Sequence, residues 1–167
     1  DNSASTREVY GENKSMVYRQ ICSGFILKTE KVYKKNPKLD AAIDLLEIII
    51  ENDKLVIFHV FDMECDMISA ALKKKKIKFV TINGKTKDKW KAQQDFKINP
   101  KIKVAIVNVS CGSASINLHT ARYTFFFSNG QSVIDRKQSV KRTHRGDIKR
   151  PRYYYDFIGK GTVENYM

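Results

Sequence analysis

The stretch Val104-Ala-Ile-Val-Asn-Val109 has the pattern of a β-strand that is apolar on both faces. A strand of this kind is typical of a sheet that other elements cover on both sides. Similar short stretches occur at Leu55–Val60 and Lys78–Ile82 before it, and at Tyr123–Phe127 and Tyr153–Ile158 after it. Helical patterns separate the stretches. The sequence therefore predicts a three-layer α/β/α fold, in which helices cover both faces of a mainly parallel sheet.

The helices are predicted from the spacing of apolar residues. Leu39, Ile43, Leu46 and Ile50 recur at spacings of four, three and four, which is the pattern of an amphipathic helix, and Asp40 is available near its start as a cap. Further helices are predicted from Asp62, over residues 86–96 with Trp90, Ala92 and Phe96, over residues 116–120, from a capping box at Ser132, and from Gly161.

Composition limits the classes of protein to which the chain can belong. Its 167 residues, 42% of them hydrophobic, suffice for one domain with a packed core. A net charge of +13 predicts a polyanionic partner, most simply nucleic acid. The three cysteines have no paired spacing, so we expect neither disulfides nor a zinc site, and we expect a cytoplasmic protein without a membrane segment. Residues 1–37 are predicted to be a leader, with a short helix closed by Gly24, and residues 38–167 to be the domain.

Four loops follow the carboxyl ends of the predicted strands, where parallel α/β sheets bind their ligands. They are residues 59–62, 83–86, 110–115 and 128–132. The loop at 110–115 consists of small residues, which suits either a phosphate contact through backbone N–H groups or a plain tight connection.

The stretch Gln138-Ser-Val-Lys-Arg142-Thr-His-Arg145-Gly146 places two arginines three residues apart near the end of a helix. Residues at that spacing lie on the same side of a helix. Two guanidiniums there can neutralise the charge that develops on a transferring phosphoryl group. The alternative for this stretch is a solvated basic helix.

The stretch Gly84-Lys85-Thr86 is not a phosphate-binding P-loop. That loop needs a glycine five residues before the Gly-Lys pair, and residue 79 is a phenylalanine within a predicted strand. An Asp-Glu pair that could hold magnesium after an apolar strand is also missing from the sequence. The chain thus has arginines for phosphate without the loop that holds ATP, which indicates half of an active site.

The order of these segments resembles the C-terminal RecA-like lobe of a Swi/Snf-type superfamily-two helicase, over about residues 38–167. Val56–Phe61 resembles motif IV, and the Asn-Gly-Lys-Thr run at 83–86 resembles the stretch after the second strand. Residues 108–118 resemble motif V, and Gln138, Arg142 and Arg145 stand as in motif VI. The run Lys160-Gly-Thr-Val-Glu164 resembles the close of that lobe.

The resemblance implies roles for individual residues. Arg142 and Arg145 are expected to reach the phosphates of ATP, which is held with Mg²⁺ mainly by an N-terminal lobe absent from this sequence. Gln138, Gly112 and Asn117 are expected to couple the nucleotide to DNA. The residues expected to face the DNA backbone are His59, Gly84, Lys85, Thr86 and Ser110. No residue of this chain is expected to bind a metal.

The chain also departs from the family. Ser113 and Ser115 replace glycines of motif V, Ser128–Ser132 replaces an acidic Asp-Pro-Asp-Trp-Asn stretch, and Asp147 replaces a glutamine after motif VI. These departures indicate a divergent branch of phage or bacterial origin rather than a chromatin remodeller.

The sequence therefore predicts the C-terminal motor lobe of an ATP-dependent double-stranded DNA translocase or helicase. The full-length protein is expected to hydrolyse ATP, and this fragment alone is expected to be inactive. One alternative is the corresponding lobe of an RNA helicase, because the Gln-x3-Arg-x2-Arg pattern is shared. The other is a non-catalytic, basic α/β module that binds nucleic acid.

Overall fold

The computed structural model describes residues 14–111, 116–144 and 150–166 of the chain. Its centre is a five-stranded sheet of strand order β4-β5-β3-β6-β7, and every neighbouring pair is parallel. The strands are β3 (Leu55–His59), β4 (Phe79–Ile82), β5 (Val104–Asn108), β6 (Tyr123–Phe126) and β7 (Tyr153–Asp156). All of the predicted strands are confirmed, with ends that differ by one or two residues.

Five α-helices surround this sheet in the described part of the chain: α1 (Lys14–Cys22), α2 (Pro37–Ile50), α3 (Asp62–Lys74), α4 (Lys89–Ile98) and α5 (Val133–Thr143). A two-stranded antiparallel sheet, formed by β1 (Phe25–Ile26) and β2 (Lys31–Val32), follows α1. Single-turn 3₁₀ helices occupy Leu27–Thr29 and Val163–Tyr166. Among the described residues, no helix has the length and the apolar character needed to cross a bilayer.

The core is divided into two clusters, one on each face of the sheet. Ile57 and Ile106 point to the cluster that α2 and α3 cover, and both side chains are almost fully buried. Val56 and Val107, their neighbours along the strands, point to the cluster that includes Phe96 of α4. Strand residues alternate between the two clusters because successive side chains point to opposite faces of a sheet. The predicted three-layer arrangement is therefore confirmed.

Several local predictions are wrong. The cap of α2 is Asn36, whose side chain accepts a hydrogen bond from the Leu39 amide (3.0 Å), and not Asp40. Residues 116–120 form no helix. The final helix is the single 3₁₀ turn at Val163–Tyr166.

The leader packs on the lobe through α1 and β1. Phe25 is fully buried and meets the Phe61 ring edge-on at 5.5 Å between centroids. The Arg19 guanidinium lies 5.2 Å from the centre of that ring and donates a hydrogen bond to the Asn129 carbonyl oxygen (2.6 Å). Burial lowers the pKa of Arg19, an effect that Glu64 and Glu164 oppose. The expected division at residue 37 stays a prediction, although the leader shares the core of the domain.

Gly24 closes α1 with a φ of +92°, a conformation that side chains rarely adopt. A Cβ atom there would lie 2.4 Å from Nδ2 of Asn36, the residue that caps α2 and donates to the Ser23 carbonyl oxygen (2.9 Å). We expect Gly24→Ala to lower the free energy of unfolding by about 2 kcal/mol, because it adds backbone strain and displaces the cap. Urea denaturation measures this change.

The matched control for Gly24 is Gly84→Ala. A Cβ atom at Gly84 meets nothing within 4 Å, and its φ is not positive. We expect that variant to unfold at nearly the wild-type urea concentration. Equal destabilisation by the two substitutions would contradict the role assigned to the Gly24 turn.

Candidate functional site

The carboxyl ends of β3 and β5 are joined by a set of hydrogen bonds. Asn108 donates from Nδ2 to the Val60 carbonyl oxygen (3.0 Å), and its Oδ1 accepts from the Ser110 amide (2.8 Å). The Val109 amide donates to the His59 carbonyl oxygen (2.9 Å). These bonds hold Ser110, whose side chain is exposed, at the edge of the sheet where the sequence predicts ligand binding.

His59 lies in the core rather than on this edge. Its side chain has no exposed surface, and its Nδ1 lies 3.0 Å from the Phe61 carbonyl oxygen. The Nε2 atom is buried without a hydrogen-bond partner, and burial lowers the pKa of the ring below its usual value. The expectation that His59 faces DNA is therefore corrected: the ring cannot reach a ligand, and the exposed residue of this loop is Asp62.

The Asn83–Thr86 turn presents Gly84 and Lys85 to solvent. Lys85 forms an exposed ion pair with Asp62 (3.0 Å), and this partner raises the pKa of the lysine. Exposed pairs of this kind are weak, so an anionic ligand can replace the carboxylate. The Thr86 hydroxyl is used within the turn, since it accepts from the Asn83 amide (3.0 Å) and donates to the Thr81 carbonyl oxygen (3.1 Å).

A buried carboxylate, Glu64, lies beneath these loops. Its Oε2 accepts from the amides of Val60 and Phe61 (3.0 Å each) and from the Ser128 hydroxyl (2.6 Å). Its Oε1 accepts from the Ser23 hydroxyl (2.5 Å). Glu64 thus fixes the loop after β3, caps the start of α3, and ties both the leader and the end of β6 to that loop. The sequence did not indicate this residue.

The described part of motif V is held between two helices. The Asn117 amide donates to Oε1 of Gln93 on α4 (2.8 Å), and the Asn117 side chain contacts Nδ1 of His119. The Leu118 amide donates to the carbonyl oxygen of Arg142 on α5 (2.9 Å). Motif V is therefore connected directly to the helix that carries motif VI. Gly112 lies outside the described residues.

Arg142 is half-buried near the end of α5, and burial lowers the pKa of its guanidinium, while the neighbouring Cys111 and Asp135 act in the opposite direction. Its Nη1 atom is buried and has no hydrogen-bond partner among the described residues. Arg142 forms no ion pair with any described residue. Buried donors rarely lack a partner in folded proteins, so this nitrogen is a candidate for a hydrogen bond to a ligand.

The other residues predicted for motif VI are Gln138 and Arg145. The Gln138 side chain is exposed, one turn before Arg142 on α5. Arg145 lies outside the described residues, so the expected pairing of the two guanidiniums stays a prediction. Within the part of the chain that the structure describes, no cluster of His, Cys, Asp and Glu side chains has the geometry to hold a metal ion.

Arg136 fixes the loop that replaces the acidic stretch of the family. Its two terminal nitrogens pair with the two carboxylate oxygens of Asp156 (2.5 and 2.9 Å), and Nη1 also donates to Oδ1 of Asn129 (2.6 Å). The guanidinium lies 3.2 Å from the centre of the Phe126 ring. Burial raises the pKa of Asp156, but the hydrogen bonds from Arg136 and Asn129 outweigh this effect and hold that pKa below its usual value. The sequence did not indicate this ion pair.

The parallel sheet and its flanking helices define an α/β lobe, and comparison with known proteins identifies the family. Residues 37–147 match the helicase conserved C-terminal domain, so the chain belongs to that family. Its relatives place it more narrowly, as the C-terminal RecA-like lobe of a Swi/Snf-type helicase.

Three relatives illustrate the similarity. ATP-dependent helicase fft1 of Schizosaccharomyces pombe is 27% identical over 136 residues, which is 80% of this chain and 14% of the relative. DNA repair protein RAD5 of Cryptococcus neoformans is 29% identical over 76% of this chain and 11% of the relative. A SWI/SNF-related chromatin regulator of subfamily A from Xenopus tropicalis is 24% identical over 89% of this chain and 16% of the relative. The chain thus spans about a seventh of the length of these proteins.

A solved structure agrees with the fold. The crystal structure of the C-terminal part of the Fun30 ATPase domain superposes with a TM-score of 0.74 at 24% identity, covering 89% of this chain and 51% of that chain. At this level of identity the likeness supports the RecA-like α/β fold and nothing further.

Proposed function

We propose that this chain is the second motor lobe of an ATP-dependent double-stranded DNA translocase. The observation that carries the proposal is the half-buried Arg142 guanidinium, which has a buried nitrogen without a partner and forms no ion pair with the described residues. Its backbone is bonded to Leu118 of motif V. A cation held ready in this way suits the phosphates of ATP.

In this proposal ATP and Mg²⁺ are held mainly by an N-terminal lobe, and their chemistry is in-line transfer of the γ-phosphoryl group to water. Arg142 and Arg145 neutralise the charge that develops on the phosphoryl oxygens. That event is coupled to DNA by Gln138, Gly112 and Asn117. Asn117 directly precedes Leu118, whose backbone amide donates to the carbonyl oxygen of Arg142.

The DNA contacts are proposed at the carboxyl edge of the sheet, where Ser110, Gly84 and Lys85 are exposed. A lysine and backbone amides there suit phosphate oxygens, so binding would not depend on base sequence. The net charge of +13 favours the same partner. DNA is favoured over RNA because some relatives are named as DNA repair proteins. We place the protein in the cytoplasm of a bacterial or phage-infected cell.

We expect Lys85→Ala to weaken binding to duplex DNA and to reduce the slope of log affinity against log salt by roughly one, because one phosphate contact is lost. Trp90 provides the measurement: it is the only tryptophan in the chain, it is 71% exposed, and it begins α4 five residues after Lys85. Its fluorescence is followed while duplex DNA is added at several salt concentrations.

Lys74→Ala is the matched control, since Lys74 is an exposed lysine at the far end of α3. Removal of its charge should leave the slope nearly unchanged. If both variants shift the slope equally, binding is diffuse and the edge is not the DNA site. Tighter binding to single-stranded RNA than to duplex DNA would favour the RNA helicase alternative.

A further inference from the structure

A separate pocket lies at the amino-terminal edge of the sheet. It is formed where Asp53 precedes β3, Arg122 precedes β6, and Arg150 and Arg152 precede β7, and its volume is about 190 Å³. The loops proposed to face DNA follow the carboxyl ends of the strands. Strands of four or five residues separate the two edges by roughly 13–17 Å. The pocket is therefore not part of the proposed DNA-facing surface.

The charge of the pocket is strongly positive. Three guanidiniums, those of Arg122, Arg150 and Arg152, line it together with a single carboxylate, Asp53. That carboxylate is 3.4 Å from Nη1 of Arg122, a long contact, and Nε of Arg122 donates to the Pro151 carbonyl oxygen at the same distance. An excess of two positive charges at one concave surface attracts an anion.

The pocket walls also contain polar atoms that the protein does not satisfy. Arg152 donates from its two terminal nitrogens to the carbonyl oxygens of Ala121 and His119 (2.7 Å for the latter), which fixes the guanidinium. Its Nε and the hydroxyl of Thr120 are buried, and neither has a hydrogen-bond partner in the part of the chain that the structure describes. Burial lowers the pKa of Arg152. A phosphate oxygen would provide the acceptor that these donors lack.

A second guanidinium, that of Arg122, is also held in place. Arg122 lies 5.3 Å from the centre of the Tyr153 ring and 5.7 Å from that of Tyr123, and these two rings stack on each other at 5.1 Å. Such cation–π contacts hold the arginine side chain against the two rings. The pocket is therefore largely formed before any ligand arrives, which favours binding.

We propose that this arginine-lined pocket binds a phosphate group. Its volume of about 190 Å³ is several times the roughly 30 Å³ that one water molecule occupies. It is below the roughly 300 Å³ at which pockets for larger organic ligands begin. A single phosphate fits these limits, either as a small free anion or as one phosphate of a nucleic-acid backbone that extends past the pocket.

Isothermal titration calorimetry of the chain with inorganic phosphate, at constant ionic strength set by chloride, tests the proposal. We expect a dissociation constant in the millimolar range for the wild type. Arg150→Gln removes an exposed guanidinium, and Thr120→Val removes a buried hydroxyl that has no partner among the described residues, so both variants should fold. Each is expected to weaken phosphate binding by roughly tenfold, the loss typical of one charge-assisted hydrogen bond.

Lys101→Gln is the matched control, because it removes one positive charge from an exposed residue that does not line the pocket. It should change phosphate affinity by less than about twofold, as expected for an exposed, screened charge that does not contact the ligand. Absence of phosphate binding by the wild type, or equal weakening in Arg150→Gln and Lys101→Gln, would overturn the proposal.

A titration with duplex DNA distinguishes the two sources of the phosphate. If Arg150→Gln weakens phosphate binding and also lowers the salt slope for DNA, the pocket takes a backbone phosphate. If it weakens phosphate binding and leaves DNA binding unchanged, the ligand is a small free anion. Both results support phosphate binding in the pocket. Neither depends on the proposal that Lys85 contacts DNA at the carboxyl edge of the sheet.

Discussion

Replacing Arg142 with alanine in the full-length protein is expected to reduce DNA-stimulated ATP hydrolysis by a factor on the order of 10³, as for arginines that stabilise phosphoryl transfer in other enzymes. The guanidinium is half-buried, has an unpartnered nitrogen and forms no ion pair with the described residues, so its removal breaks few contacts within the lobe. The loss should therefore appear in the rate and not in the stability. A malachite-green phosphate assay at saturating DNA measures it.

Lys141→Ala is the control for this prediction, because Lys141 is the adjacent residue of α5, carries the same charge and is exposed. It should keep nearly full activity. Arg142→Lys should remain strongly impaired, since an ammonium cannot reproduce the planar fork of donors. The isolated chain should release no phosphate with or without DNA. Near-normal turnover by Arg142→Ala would mean that the basic helix serves binding alone.

The strands were predictable from sequence because each is apolar on both faces. Such a stretch has few other stable environments than the inside of a covered parallel sheet. Leu55–His59 and Val104–Asn108 are buried at every position, and both were predicted to within one residue. The helix that carries Arg142 was predictable from a local signal at its start. Ser132 accepts a hydrogen bond from the Asp135 amide and so caps that helix.

Segments whose conformation depends on distant contacts were not predictable. Residues 116–120 were predicted to form a short helix, but the Leu118 amide donates to the Arg142 carbonyl oxygen, and the segment is not helical. Trp90 and Phe96 were predicted to lie on one helix, and of the two only Phe96 is buried. Six residues along an α-helix turn the side chain by roughly 240°, because the period is 3.6 residues.

In the site, too, local sequence motifs indicate some residues, whereas others are recognised only from contacts with residues far away in the sequence. Arg142 and Asn117 could be identified from local motifs, whereas Glu64 could not, because its partners Ser23 and Ser128 lie 41 and 64 residues away. The arginine-lined pocket is likewise assembled from residues that precede three different strands. His59 was misplaced because its motif resembles a surface loop, while its position in β3 is fully buried.

Replacing Glu64 with alanine is expected to lower the free energy of unfolding by about 3–5 kcal/mol, because four donors lose their shared acceptor in a buried site. Glu64→Gln should cost about 2–3 kcal/mol, because one carboxylate oxygen becomes an NH₂ group that meets donors instead of acceptors. Urea denaturation followed by circular dichroism measures both variants.

Asp62→Ala is the matched control, since Asp62 is an acidic residue of the same helical turn whose side chain is 56% exposed in its ion pair. It should cost less than about 1 kcal/mol. Because the Ser23 hydroxyl donates to Glu64 from the leader, a double-mutant cycle of Ser23→Ala with Glu64→Gln should show coupling of about 1 kcal/mol. If the two effects simply add, or if Glu64→Ala is no more harmful than Asp62→Ala, then the carboxylate does not hold the leader against the loop that follows β3.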